Sequence, residues 1–310
     1  MTVRVFIDGA AGTTGLDIAE RLAGRDDIAL IVIDDDRRKD AVARREAYDA
    51  ADVAILCLPD EAAREAVALA AGSKARIIDA SSAHRTARDW VYGFAESAAG
   101  QREAIASAAL VSNPGCYSTG FIALVAPLVA CGLLPADGGY VCHAVSGYSG
   151  GGKAMIARFT DEPDIAWRGY ALALDHKHVL EMQARCGLAH RPLFSPAVVP
   201  AMRGMVVELP LLRSTDPRIA GADELRAALA EHYAGSPIAQ VGDIARDGEI
   251  LLRDSAEPSD RLTLDVFASA DGSQIRLVAA LDNLGKGAGG ACVQNLNIMA
   301  GLPETAGLRL

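Results

Sequence analysis

The chain opens with an apolar run, Val3-Arg4-Val5-Phe6-Ile7, that breaks into Gly9-Ala10-Ala11-Gly12-Thr13-Thr14-Gly15 and then into a helical pattern over Leu16–Leu22. Three glycines between an N-terminal strand and a helix narrow the possible folds more than any other feature. Glycine lets the backbone approach a pyrophosphate, and the helix N-terminus adds N–H donors and the positive end of its dipole. The spacing is GxxGxxG rather than GxGxxG, so position directly behind the first strand carries the inference. It predicts a nucleotide-binding turn contacted through Gly9, Gly12, Thr13, Thr14 and Gly15.

Further apolar runs follow at Ile28–Ile33, Val53–Leu58 and Ala75–Ile78, separated by helical segments, with Asp60 as expected N-cap for a helix over Glu61–Ala71. Continuous rather than alternating apolar runs mean strands covered on both faces. The expected class is α/β, a Rossmann-type doubly wound parallel sheet. Beyond residue 115 the texture changes. An apolar helical stretch, Phe121–Ala136, leads to a Gly/Ser-rich run over Ser146–Gly152, then to strand candidates Val206–Leu212, Leu262–Phe267 and Gln274–Leu281 and a helix over Asp223–His232. The 310 residues therefore divide into a first domain over 1–115 and a second, α+β domain over 116–290. The final apolar helix, from Ala291 within 291–310, is expected to pack back on the first domain.

Lys and Arg total 30 against 40 Asp and Glu, a formal charge of −10. That balance argues against a nucleic-acid or anionic-membrane surface. The stretch Phe121–Ala136 is broken by Pro127, Gly132 and Pro135 and falls short of a membrane span, and the N-terminus has no basic-then-apolar leader pattern. A soluble cytoplasmic protein is expected. Six scattered cysteines form no CxxC or His/Cys cluster, so neither a disulfide framework nor a metal site is expected.

One cysteine stands apart. In Ser112-Asn113-Pro114-Gly115-Cys116-Tyr117-Ser118-Thr119-Gly120, Pro-Gly forces a turn and Cys116 precedes the apolar helix. A helix N-terminus stabilises a thiolate, so Cys116 is the expected nucleophile and the other five are expected core residues. A nucleophile wants a base, and Asp175-His176-Lys177-His178-Val179-Leu180-Glu181 supplies two histidines; on a helix they would face different ways, with Glu181 available to orient one. His190 and His232 read as surface residues, and His84 and His143 as lesser candidates.

Asp34 ends the second apolar run at the spacing of a ribose-binding acid, which favours NAD; Arg37, Arg38 and Lys39 follow at once, which suits a 2′-phosphate. These charges leave the choice open. Ser81, Ser82 and Arg85 follow the Ala75–Ile78 run, where open α/β sheets bind ligands and an arginine can grip phosphate. Asn283 and Lys286, in the glycine-rich segment before the last helix, are further anion or cofactor candidates.

Together these segments resemble the N-acetyl-γ-glutamyl-phosphate reductases of arginine biosynthesis in their shorter form, within the phosphorylating semialdehyde dehydrogenases. The wording GAAGTTG, AILCLPDEAA, IIDASSAHR, SNPGCYSTG, AVSGYSGGGK, HKHVLEM and DNLGKGAGGACVQNLNIM runs parallel to that family from end to end. Ser118, Leu180 and Ala95 stand where the family usually has proline. The resemblance implies reduction of an acyl phosphate by NADPH through a Cys116 thioester, with His178, or else His176, as acid/base. It further implies Ser82, Arg85 and Asn113 on the substrate phosphate, and Gly9 to Gly15, Arg37, Arg38, Ser81, Asn283 and Lys286 on NADP. The second domain would be catalytic and oligomerising, the assembly a homotetramer. A sister reductase for an aspartyl or carrier-linked aminoadipyl phosphate would share these motifs, and a non-catalytic NADP-binding sensor would share the glycine turn.

Overall fold

A computed structural model of the chain describes residues 2–242, 244–245 and 248–310. The chain forms two compact units: residues 1–95, 100–114 and 288–308 make the first, and 96–99, 115–287 and 309–310 the second.

The first unit holds β1 (Val3–Asp8), α1 (Thr13–Leu22), β2 (Ile28–Ile31), α2 (Ala41–Ala50), β3 (Val53–Leu56), α3 (Asp60–Ala70), β4 (Arg76–Asp79), β5 (Val91–Tyr92), α4 (Gln101–Ser107) and β6 (Leu110–Ser112). The last helix of the chain, α9 (Gly290–Ala300), also belongs to it. The strands form one parallel sheet in the order β2-β1-β3-β4-β6-β5. The apolar runs are continuous because successive side chains fill two different cores. Val5, Ile7, Val53, Ile55, Ile78 and Val111 pack with Ile18 and Leu22 of α1, Ile105 of α4 and Val293 and Leu296 of α9. Phe6, Ala54, Leu56 and Ile77 pack on the other face with Tyr48 of α2 and Ala66 of α3. The strand order reverses between β1 and β3, the switch point at which open sheets bind ligands.

Details differ from the sequence reading. The second run ends as a strand at Ile31, and the helix α3 is preceded by Pro59, so Asp60 is its first residue. The Asp60 carboxylate instead accepts hydrogen bonds from the N–H and hydroxyl of Ser82. Proline at the N-cap works because its missing donor is one a helix start cannot use internally. The polar helix α2 was not anticipated; it is capped by Asp40, whose carboxylate accepts from the Ala43 N–H at 2.8 Å. Arg76 ties the last turns of two helices to the sheet, donating to the carbonyls of Ala106 in α4, of Ala108 just after it and of Met299 in α9.

The second unit contains α5 (Cys116–Ala130), β7 (Val141–Gly147), α6 (Gly152–Asp161), β8 (Arg168–Gly169), α7 (Lys177–Cys186), β9 (Leu193–Val199), β10 (Met205–Leu212), α8 (Ala222–His232), β11 (Ala239–Val241), β12 (Leu262–Ala268) and β13 (Gln274–Leu281). Its strands form a mixed seven-stranded sheet in the order β11-β12-β13-β10-β7-β9-β8. Among the described residues no helix is long and apolar enough to cross a membrane. The stretch expected to be helical to Ala136 ends at Ala130 and is apolar all round because it is enclosed by β10, β13, α7 and α8.

Pro127 lies inside α5 and cannot donate to the carbonyl of Ala123 four residues back. The buried hydroxyl of Tyr233, just after α8, donates to that carbonyl at 2.8 Å. Tyr233→Phe should therefore orphan a buried acceptor and cost about 1–3 kcal/mol in urea unfolding. In a Pro127→Ala background the restored helical N–H should take up the carbonyl, so the same substitution should cost clearly less.

Candidate active site

The glycine turn does what its composition demanded. Gly9 has φ +93°, and a Cβ there would collide with the Cys57 carbonyl. A Cβ on Gly15 would sit 2.5 Å from the Gly9 carbonyl oxygen. Gly12 precedes α1, whose first residues are Thr13 and Thr14. In front of this turn lies a cavity of about 460 Å³ at the carboxyl ends of β1, β2 and β3. Arg38, Lys39 and Asp35 stand on its wall, and Arg38 lies 3.8 Å from the exposed carboxylate of Asp35. Arg37 closes a turn through its N–H on the Asp34 carbonyl, and its side chain is exposed. At the base of the cavity the buried Asp8 carboxylate accepts from Tyr48 and Arg44.

The loop after β4 is organised by acids. The fully buried Asp79 carboxylate accepts from the N–H and hydroxyl of Ser81, at 2.9 and 2.8 Å, and lies 2.6 Å from His84 Nδ1. The hydroxyls of Ser81 and Ser82, expected to face cofactor and phosphate, are thus bonded to Asp79 and Asp60. Arg85 is buried, with its guanidinium donating to the carbonyls of Asn113 and Ala80. Asn113 is a core residue: its amide donates to the Ala288 carbonyl and accepts from Asn295.

In the second unit Cys116 is the first residue of α5, behind Gly115. The buried Glu181 of α7 bonds this helix end from outside: Oε1 accepts from the Gly115 N–H at 2.9 Å and Oε2 from the Ser118 hydroxyl at 2.8 Å. The carboxylate expected to be available to orient a histidine is also the brace of the helix that carries the cysteine. A negative group at a helix start is favoured by the dipole, and so is a thiolate at its first residue.

The two histidines do not lie on different helical faces. His176 is the N-cap of α7 and so lies outside the helix, and its ring meets that of His178 edge-on with centroids 4.6 Å apart. His176 Nδ1 accepts the His178 N–H at 3.2 Å, which places a neutral ring's proton on Nε2. His178 is buried, 5.9 Å between ring centroids from Tyr117, the neighbour of Cys116. Tyr170, which the sequence reading missed, completes the cluster: it lies 5.8 Å from the His176 ring, and burial first, then the charge of Cys116, push its phenol up to about 12 against the counteracting hydrogen bond with Tyr117. Nothing in the local sequence marks it, because β8 brings it in from a segment with no motif.

Asn283 and Lys286, read as cofactor candidates, are buried and engaged within this unit. Asn283 donates to Ser149 and accepts from the Gly204 N–H, and Lys286 pairs with Glu96 at 2.6 Å. Arg203 pairs with Asp282 at 2.9 Å. Of the other cysteines, Cys142, Cys186 and Cys292 are buried, Cys57 is half-buried, and Cys131 is exposed, contrary to the core expectation. Burial, with the Asp79 and Asp8 carboxylates, pushes the Cys57 thiol up to about 12. His190 is exposed as expected, whereas His232 is half-buried with Nε2 on the Glu96 carbonyl. His143 is exposed beside Glu208. No group of residues that would hold a metal ion occurs among the described residues.

Residues 4–108 match the family described as semialdehyde dehydrogenase, NAD binding domain, and residues 116–283 its dimerisation domain. The chain is 49% identical over 318 residues to an N-acetyl-gamma-glutamyl-phosphate reductase of Trichormus variabilis, covering 98% of this chain and 99% of the relative. It is 50% identical over 309 residues to the enzyme of that name from Brucella ovis, covering 97% and 100%. Its fold is similar to aspartate semialdehyde dehydrogenase II from Vibrio cholerae (TM-score 0.68, 16% identity, 97% and 98% of the two chains). It is likewise similar to aspartate semialdehyde dehydrogenase from Francisella tularensis (TM-score 0.70, 14% identity, 96% and 100%).

Two expectations follow. Glu181→Ala strands a buried N–H and a buried hydroxyl at the start of α5 and should cost about 1–3 kcal/mol for each in urea unfolding. Because Cys57 and Tyr170 hold their protons to higher pH folded than unfolded, their contribution is complete below pH 9.0, the ordinary thiol value, and lost as pH rises toward about 12. Urea midpoints measured from neutrality upward should stay level at first and then fall steadily once the pH passes the ordinary thiol value, with a smaller fall for Cys57→Ala (roughly a one-proton difference in linkage).

Proposed function

The chain belongs to the N-acetyl-γ-glutamyl-phosphate reductases within the semialdehyde dehydrogenase family, and from that membership we propose that it reduces N-acetyl-γ-glutamyl phosphate to N-acetylglutamate 5-semialdehyde and phosphate, with NADPH as reductant and Cys116 as nucleophile. It is an oxidoreductase of the nicotinamide-dependent class. The observation that carries the reading of the site is that Cys116 starts a buried helix braced by Glu181, with its neighbour Tyr117 packed near the His178 ring.

The cofactor side fits a dinucleotide. The turn over Gly9 to Gly15 has no room for a side chain at Gly9 or Gly15, and the N-terminus of α1 and a cavity stand beside it. Gly12, Thr13 and Thr14 would hold the pyrophosphate through main-chain N–H groups. Arg38, on the cavity wall, supports NADP over NAD: its long contact with exposed Asp35 is weak, and a 2′-phosphate is the stronger partner for a guanidinium. Arg37 stands beside it in sequence, and Ser81 at the end of β4. When bound, NADPH supplies the hydride.

The protein's own residues carry the remaining steps. The Cys116 sulfur bonds to the acyl carbon, and the C–O bond to phosphate breaks with its electron pair leaving on phosphate. After reduction the sulfur–carbon bond breaks, its electrons return to sulfur, and the aldehyde is released. His178, buried beside Tyr117, the neighbour of Cys116, holds the proton that the substrate oxygen gains and gives up in that sequence. Main-chain N–H groups at the start of α5 favour the negative oxygen. Arg85, with Ser82 and Asn113 in its loop neighbourhood, is assigned to the phosphate. The assembly is proposed to be a homotetramer in the cytoplasm, and the two units are assigned to NADP binding and to catalysis with oligomerisation.

Assayed in reverse, purified protein should reduce NADP when given N-acetylglutamate semialdehyde and phosphate, with aspartate semialdehyde turned over far more slowly. Cys116→Ser should abolish nearly all turnover while NADP affinity, read by fluorescence titration, stays unchanged. Full turnover in that variant would remove the nucleophile assignment, and preference for aspartate semialdehyde would transfer the enzyme to the sister reaction.

A further inference from the structure

Lys286 and Glu96 form a charge pair with both side chains only 2% exposed. We propose that this pair is a positioning device: it holds the turn from Asp282 to Gly287 against Cys116 and fixes the direction of the nucleophile, rather than touching the cofactor. The inference rests on the reading of Cys116 as the nucleophile.

Three observations converge on it. The backbone of the turn lies directly on the cysteine, since a Cβ built on Gly287 would come within 2.9 Å of the Cys116 Cβ and 3.4 Å of its Cα. Residues 285–289 wind as a π-turn, a rare form that recurs at functional sites. The entry to the turn is already anchored: Asp282 pairs with Arg203, Asn283 bonds Ser149 and Gly204, and the Leu284 N–H donates to the Asp282 carboxylate. Lys286 supplies the anchor on the exit side. Glu96 is itself set by the contact of His232 Nε2 with its carbonyl oxygen at 2.8 Å.

A buried pair gains little over an apolar pair of the same shape, but loss of one partner leaves an uncompensated charge. The prediction is therefore a pattern across variants of the full-length enzyme. Lys286→Met and Glu96→Gln should each lower kcat, by up to about 10²-fold for a displacement near 1 Å, with KM for NADP unchanged. The neutral double variant should recover much of that loss. The iodoacetamide rate of Cys116, followed by mass spectrometry on samples with wild-type circular dichroism, should shift in the single variants and return in the double. Gly287→Ala serves as a second route if a charged-pair variant fails to fold: its methyl pushes on Cys116 and should change both kcat and alkylation without affecting KM for NADP.

A raised KM for NADP in Lys286→Met that the double variant does not recover would overturn the proposal in favour of a cofactor contact. Unchanged alkylation and kcat in the single variants or in Gly287→Ala would equally overturn it. Alkylation reads the geometry of Cys116 even if the proposed acyl substrate is wrong, so failure of the functional reading is separately visible.

Discussion

The carboxylate of Glu181 fixes the start of α5, and much of the second unit is referred to that point. It accepts the Gly115 N–H and the Ser118 hydroxyl from a neighbouring helix, completing a helix end that no local side chain caps. Through this bond α7 and α5 are registered on one another, so the residue that begins α5 and the histidines that begin α7 arrive in one place. Ser118 stands where the resembling family usually has proline, and here its hydroxyl takes part in the brace. The position thus exchanges backbone stiffness for a hydrogen bond, which leaves the helix start defined in either case.

A second constraint concerns charge. With a net charge of −10, the protein nevertheless commits several of its cations to internal acids or carbonyls: Arg44 to Asp8, Arg203 to Asp282, Lys286 to Glu96 and Arg76 to the ends of two helices. For Lys286, only 2% exposed, burial makes the bond obligatory, because a desolvated cation without a partner is far more costly than the pair is favourable. Arg44, Arg203 and Arg76 are half-buried and meet part of the same cost. The positive charge that remains for anionic ligands is correspondingly local. Arg38 and Lys39 at the cavity beside the glycine turn are its clearest example in the first unit.

The strands and helices of the first unit were largely legible, because a strand buried on both faces must be apolar at every position and its helices must carry an apolar stripe. What escaped were the short elements β5, α4 and β6 and the helix α2, whose surface is too polar to announce itself and which is held instead by its Asp40 cap and the buried Tyr48–Asp8 bond. The glycine turn and Cys116 were legible for the same local reason: each is defined by covalent neighbours, a strand before and a helix after. The partnerships of side chains were not. Ser81 and Ser82 sit in the right loop, yet which acid each hydroxyl bonds depends on where α3 and β4 place Asp60 and Asp79. That the two histidines would face different ways held only if both lay on the helix, and a one-residue change in where a helix begins turns a helical residue into its cap.

By itself the sequence determined the periodicity of the elements, the flexible backbone at Gly9 and Gly15, and the cysteine at the head of an apolar helix. These depend on steric and hydrophobic rules that act over a few residues. Tertiary structure alone decided that Tyr233 would repair the helix bond missing at Pro127, that Tyr170 would join the histidines, and that Lys286 would face Glu96. Each of those contacts joins residues far apart in the chain. Their stability comes from satisfying a polar group after packing has excluded water, and packing is a property of the folded whole.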